Sequence, residues 1–140
     1  MKDGLELYRH QHDELRLAAR ALEDDLAGPW RPGGAESARG HLLHLSGKLT
    51  VHLQMEDRGL YPEFHASADP RVSGTARRFQ VYMGELKGSA DAFFQRWLRP
   101  GAIAAAPDHF RAEARVLLQA LDQRISAEDA ALYPLAAPGT

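Results

Sequence analysis

His52 and Glu56 stand four residues apart in the stretch HLQMEDRGLYP, which spans 52–62. On a helix that spacing puts both side chains on one face, one turn apart, with about 5–6 Å between their Cβ atoms. Leu45 and Leu49 lie on the same face, so the face points inward. An imidazole and a carboxylate in an apolar core are costly unless they are paired or hold an ion. A second stretch, RISAEDAALYP at 124–134, aligns with the first without a gap. Glu128 falls on Glu56, Leu132-Tyr133-Pro134 falls on Leu60-Tyr61-Pro62, and Arg124 stands where the first stretch has His52. The repeat extends upstream, with Leu117 on Leu45 and Leu121 on Leu49.

Four amphipathic segments must position these groups. The chain is punctuated at Gly28-Pro29 and Pro32-Gly33-Gly34, again across 62–74, and again across 100–107. Between the breaks, apolar residues recur at helical period over roughly 5–26, 36–61, 74–98 and 108–133. Asp108, after Pro107, is expected to cap the last segment. Pro62 and Pro134 are expected to stop the second and fourth just past their tyrosines, because the residue before a proline is pushed out of the helical region. Short loops between long amphipathic helices predict an all-α fold, an antiparallel up-down-up-down four-helix bundle forming one domain over 1–140. In such a bundle His12, near the start of the first helix, comes level with the end of the second. Glu128 reaches the same level through the repeat. One layer of the core then holds His12, His52, Glu56 and Glu128, a set suited to iron, manganese or zinc. Without a metal, the same groups would form a buried polar network that fixes helix register.

Composition narrows the classes. The 140 residues can build an ordinary core without staples. A net charge of −2 gives no electrostatic footprint for nucleic acid or an anionic membrane. The chain has no cysteine, which excludes disulfides, thiolate metal sites and cysteine catalysis. No stretch approaches the roughly 20 apolar residues of a membrane span, and the charged N-terminal segment is unlike a signal peptide, so a cytoplasmic protein is expected.

These residues resemble the hemerythrin-like HHE family over most of the chain. The resemblance rests on the histidine of QHDEL (His12), on HxxxE followed by LYP (His52, Glu56), and on ExxxLYP (Glu128). It implies a four-helix bundle with a non-haem iron site, often di-iron, in proteins that bind or sense oxygen or nitric oxide or handle iron. Two positions depart from the family pattern. Met83 stands where the third helix should carry a histidine, and Arg124 stands where the fourth should. An intact di-iron site is therefore not expected. Two readings remain. In one, a single iron, zinc or manganese is held by His12, His52, Glu56 and Glu128, with an open position for oxygen, nitric oxide or an anion. In the other, no metal is bound, and the Arg124 guanidinium pairs with Glu56 and Glu128 in a bundle that serves as an interaction or regulatory module. Lys48, one turn before His52, could add a second positive charge. Met83 and Tyr8 are candidates for the shell around the layer, and Met83 has an equally good place in the apolar stripe between Phe79 and Leu86. His65 is expected in a loop at the site end. His41, His44 and His109 are expected at the far end, and Trp30 and Trp97 in packing near loops. Storage of a cation or sensing of a gas is expected, rather than catalysis.

Overall fold

The computed structural model describes residues 2–136, with side chains from Leu5 onward. Its elements are α1 (Lys2–Leu26), α2 (Gly34–Met55), a π-helical turn (Glu56–Leu60), α3 (Tyr61–His65), α4 (Pro70–Trp97), α5 (Ala102–Ala105), α6 (Pro107–Ala127), a second π-helical turn (Glu128–Leu132) and a 3-10 turn (Tyr133–Leu135). There is no strand among the described residues. The four long helices form an antiparallel bundle in which α1 packs on α2 and α6, and α4 packs on the same two.

Each helix contributes one apolar stripe. Leu15, Leu22 and Leu26 of α1 meet Leu42, Leu45 and Leu49 of α2, Leu86, Ala90 and Phe94 of α4, and Leu117, Leu121 and Ile125 of α6. At one end the core is aromatic: Phe110 stacks on Phe93 at 5.8 Å and takes the edge of Trp97 at 5.4 Å. Trp30 packs partly buried against this end, under the Arg111 guanidinium. At the other end a smaller apolar cluster gathers Tyr8, Leu60, Tyr61, Phe64, Leu132 and Tyr133. Burying a side chain of this size contributes about 1.5–3 kcal/mol, so both clusters hold the helix ends firmly.

Four expected boundaries move. Pro62 does not end the second helix. Tyr61 keeps helical angles (φ −62°, ψ −40°), and the chain continues through α3 to His65. The widened turn explains this. The Tyr61 N–H bonds the Glu56 carbonyl five residues back, and Pro62 falls in the first turn of α3, where its missing N–H leaves no gap. Tyr133 repeats the arrangement with the Glu128 carbonyl, and a 3-10 turn follows. The break after the second helix therefore shrinks to 66–69, and α4 starts at Pro70, capped by the Asp69 carboxylate on the Arg71 N–H at 2.9 Å. Asp108 does not cap α6: Ala106 holds that place, Pro107 opens the helix, and the Asp108 carboxylate accepts from Arg111.

Candidate metal centre

His12, His52, Glu56 and Glu128 lie between the two apolar clusters, and each is 0% exposed. One donor atom from each falls within 4.8 Å of all the others. His12 Nε2 is 2.9 Å from Glu128 Oε1 and 3.2 Å from His52 Nε2. His52 Nε2 is 3.2 Å from Glu56 Oε1 and 3.7 Å from Glu128 Oε1.

The outer face of each imidazole is held by a partner. His12 Nδ1–H donates to Asp129 Oδ1 at 2.8 Å, and Asp129 Oδ2 accepts from Arg16 at 2.7 Å. His52 Nδ1–H donates to Gln11 Oε1 at 2.8 Å, while the Gln11 amide N–H donates to the Met55 sulfur. With both Nδ1 atoms engaged from behind, both Nε2 atoms face into the layer and toward each other.

The π turns place the rest. In an ordinary α-helix, residue i+5 lies about 140° around from residue i. Five-residue bonding closes that angle and brings Tyr61 and Tyr133 onto the face of the glutamates, as turns of this kind do at functional sites. The tyrosines then bond crosswise between the repeats. Tyr61 donates to Glu128 Oε2 at 3.0 Å, and Tyr133 donates to Glu56 Oε2 at 2.8 Å. The Tyr133 hydroxyl also lies 3.0 Å from His12 Nε2, with its ring stacked on the imidazole. Each carboxylate thus has its Oε2 capped by a phenol and its Oε1 turned toward the histidines.

Burial shapes the protonation of this layer. It opposes charge on His52, but the adjacent Glu128 and Glu56 reverse the effect and hold the imidazole up at about 9. Burial, aided by the charge of Glu128, pushes the Glu56 carboxyl up to about 8. Burial opposes ionisation of Glu128 too, and is outweighed by hydrogen bonds from His12 and His52 that hold this carboxyl below its ordinary value. Burial and the two carboxylates push both phenols upward, so with no ion in the layer Tyr61 and Tyr133 are hydrogen-bond donors.

The donor set fits a cation. Glu56 Oε1 is buried with no hydrogen-bond partner, and two imidazole Nε2 atoms face each other 3.2 Å apart. A positive ion between them satisfies all three at once.

The other expected residues fall elsewhere. Arg124 makes no ion pair with Glu56 or Glu128; its guanidinium lies over the Tyr82 ring, 4.6 Å from the ring centre. The expected pairing with the carboxylates is corrected accordingly. A position four residues before Glu128 fixes the direction of Cβ, but not where a long side chain ends. Lys48 likewise turns outward, donating to Glu14 at 2.7 Å rather than entering the layer. Met83 is buried in the apolar core. Tyr8 packs its ring edge against His52 and donates to the Met55 carbonyl at 3.0 Å, at the entrance to the first π turn. His65 bonds Gln80 and stacks on Tyr61. At the far end His41 bonds Asp25 and His109 pairs with Glu113, while His44 is exposed.

Sequence reasoning missed Gln11, Asp129, Arg16, Tyr61 and Tyr133. A signal for three of them was present. The dipeptide Glu-Asp and the tripeptide Leu-Tyr-Pro are identical in the two repeats, so Asp129 and the tyrosines were marked alongside the glutamates.

The chain belongs to the hemerythrin HHE cation binding domain family, whose model matches residues 3–136. It is a cation-binding helical protein by family, and its buried His/Glu group could hold such a cation. No curated protein and no solved structure matches the chain. No helix among the described residues is long and apolar enough to cross a membrane.

Proposed function

We propose that this protein holds one non-haem iron, or a cation of similar preference such as zinc or manganese, on His12, His52, Glu56 and Glu128, and that it stores the ion or senses a small ligand through it without catalysis. The observation that carries this reading is the pair of Nε2 atoms facing each other, each fixed from behind, beside a buried carboxylate oxygen that has no partner. A bound iron would supply redox change and an open position for oxygen, nitric oxide or a small anion.

Two features of the chain support the finer points. The positions matching His12 and His52 in the other half are Met83, in the apolar core, and Arg124, which stacks on Tyr82. That half offers two carboxylate oxygens already bonded by phenols, and one ion is the stoichiometry it favours. The layer is also closed on both sides by apolar clusters, which suits a diatomic gas better than an organic substrate. Residence in the cytoplasm is part of the proposal, and cell fractionation tests it.

Metal analysis of protein purified without added metal or a histidine tag, followed by iron uptake under reducing conditions, decides the main point. One equivalent per chain is expected, and His52→Ala should abolish it. Two equivalents would overturn the reading of the second half, and no uptake would overturn the proposal.

A further inference from the structure

The four ligating residues account for two nitrogen and two oxygen donors, but one more oxygen lies among them. The Tyr133 hydroxyl is 3.0 Å from His12 Nε2 and 2.8 Å from Glu56 Oε2. Donors bound to one ion at about 2.0–2.2 Å, at angles between octahedral and tetrahedral, are separated by about 2.8–3.6 Å. His12 Nε2 is separated from its neighbours in the layer by 2.9 Å and 3.2 Å, so the Tyr133 oxygen stands at the spacing of a ligand. We propose, resting on the metal-binding reading above, that Tyr133 supplies its phenolic oxygen as a fifth donor to the ion.

The ring is held for this role. It is 0% exposed, stacked on His12 with centroids 5.1 Å apart and 17° between planes, flanked by Tyr8, and overlain by the Arg9 guanidinium. Its counterpart in the repeat is a control within the same molecule. Tyr61 bonds Glu128 Oε2 at 3.0 Å and has no hydrogen bond to an imidazole, because the α4 position matching His12 is Met83. Tyr61 is a hydrogen-bond partner of the layer, whereas Tyr133 is a member of it. When its oxygen coordinates, the proton now given to Glu56 Oε2 leaves to solvent. An anionic oxygen beside carboxylates suits a hard cation, and iron(III) in particular.

The test is to load the full chain with iron(II), oxidise it to iron(III), and record visible absorption and resonance Raman spectra of wild type, Tyr133→Phe, Tyr61→Phe and Tyr8→Phe. A phenolate-to-iron(III) band with tyrosine ring modes is expected in wild type. It should vanish in Tyr133→Phe, with iron affinity reduced at least about tenfold in a chelator competition, and persist in Tyr61→Phe and Tyr8→Phe. Should Tyr133→Phe fail to fold by circular dichroism, the other two variants decide. The chain has four tyrosines, and Tyr82 is engaged with Arg124, so a band that survives both losses belongs to Tyr133. Iron-loaded wild type without the band, a Tyr133→Phe variant that keeps it, or a Tyr61→Phe or Tyr8→Phe variant that loses it would overturn the assignment alone. A wild-type chain that takes up no iron would overturn the metal-binding reading, and this assignment with it.

Discussion

The Arg124 guanidinium lies against the ring of Tyr82, 4.6 Å from its centre, and not against Glu128. In the other half of the bundle His52 is held by Gln11. Gln11 precedes His12 in α1, as Tyr82 precedes Met83 in α4. The two halves therefore keep the same pairing of positions with different chemistry. One pair aims an imidazole inward, and the other draws a cation outward. Because Arg124 serves the surface pair, Arg124→Ala should leave the metal content per chain unchanged and cost about 0.5–1 kcal/mol of stability through the lost cation–π contact. Metal analysis beside urea unfolding checks both, and a fall in metal content would show that Arg124 reaches the layer after all.

Asp129 tests whether the shell around the ligands matters. It fixes the His12 tautomer and is itself held by Arg16. Asp129→Ala should weaken cation binding by about 10–100-fold while one ion still binds at saturation. Competition against a chelator of known affinity reads the change. An unchanged affinity would mean that packing alone orients His12.

The protonation of the layer predicts how the metal-free protein responds to pH. His52 stands at about 9 in the folded chain against an ordinary 6.5, and Glu56 at about 8 against 4.5. Both values are raised, so the stability they contribute is fully present below the ordinary values and is lost as pH rises through the folded ones. Chelator-treated protein should therefore lose stability across both windows, most steeply between pH 6.5 and about 8, where the two overlap. An ion held by these residues would take the place of these protons, so cation affinity should rise over the same range. Denaturant titrations at fixed pH measure the first trend; stability that is flat or rising from pH 6.5 to 8 would refute the protonation scheme.

Gly59 has a steric reason for its identity. A Cβ there would sit 2.7 Å from the Tyr8 hydroxyl, which bonds the Met55 carbonyl. The matching position in the second π turn is Ala131, so the turn itself accepts alanine. Gly59→Ala should cost about 1 kcal/mol by displacing that hydroxyl. The cost should largely disappear in a Tyr8→Phe background, and an equal penalty in both backgrounds would place the strain in the turn instead.

The bundle and the group of four polar residues were legible because both follow from period and spacing. His52 and Glu56 share a helix face at i and i+4, the repeat carries Glu128 to the same height, and an antiparallel partner brings His12 level. The π turns were not legible. A search at 3.6 residues per turn treats Tyr61 and Pro62 as the end of a helix, whereas the five-residue bond at Glu56 lets the chain run on and turns the tyrosine inward. Arg124 and Lys48 were misplaced for a different reason. Spacing fixes where a side chain leaves the backbone, and flexible chains then choose among partners that only the tertiary structure reveals, Tyr82 for one and Glu14 for the other.

The crossed tyrosines also bear on how the molecule assembles. Tyr61 of the first hairpin grips Glu128 of the second across 67 residues of sequence, and Tyr133 of the second grips Glu56 of the first across 77. Neither hairpin can complete its own carboxylate. The polar layer is a clasp that closes only when both halves have docked in register, and contacts so distant along the chain carry a large loop-closure cost. A cation captured there would report a finished bundle, and an isolated half could not counterfeit that signal.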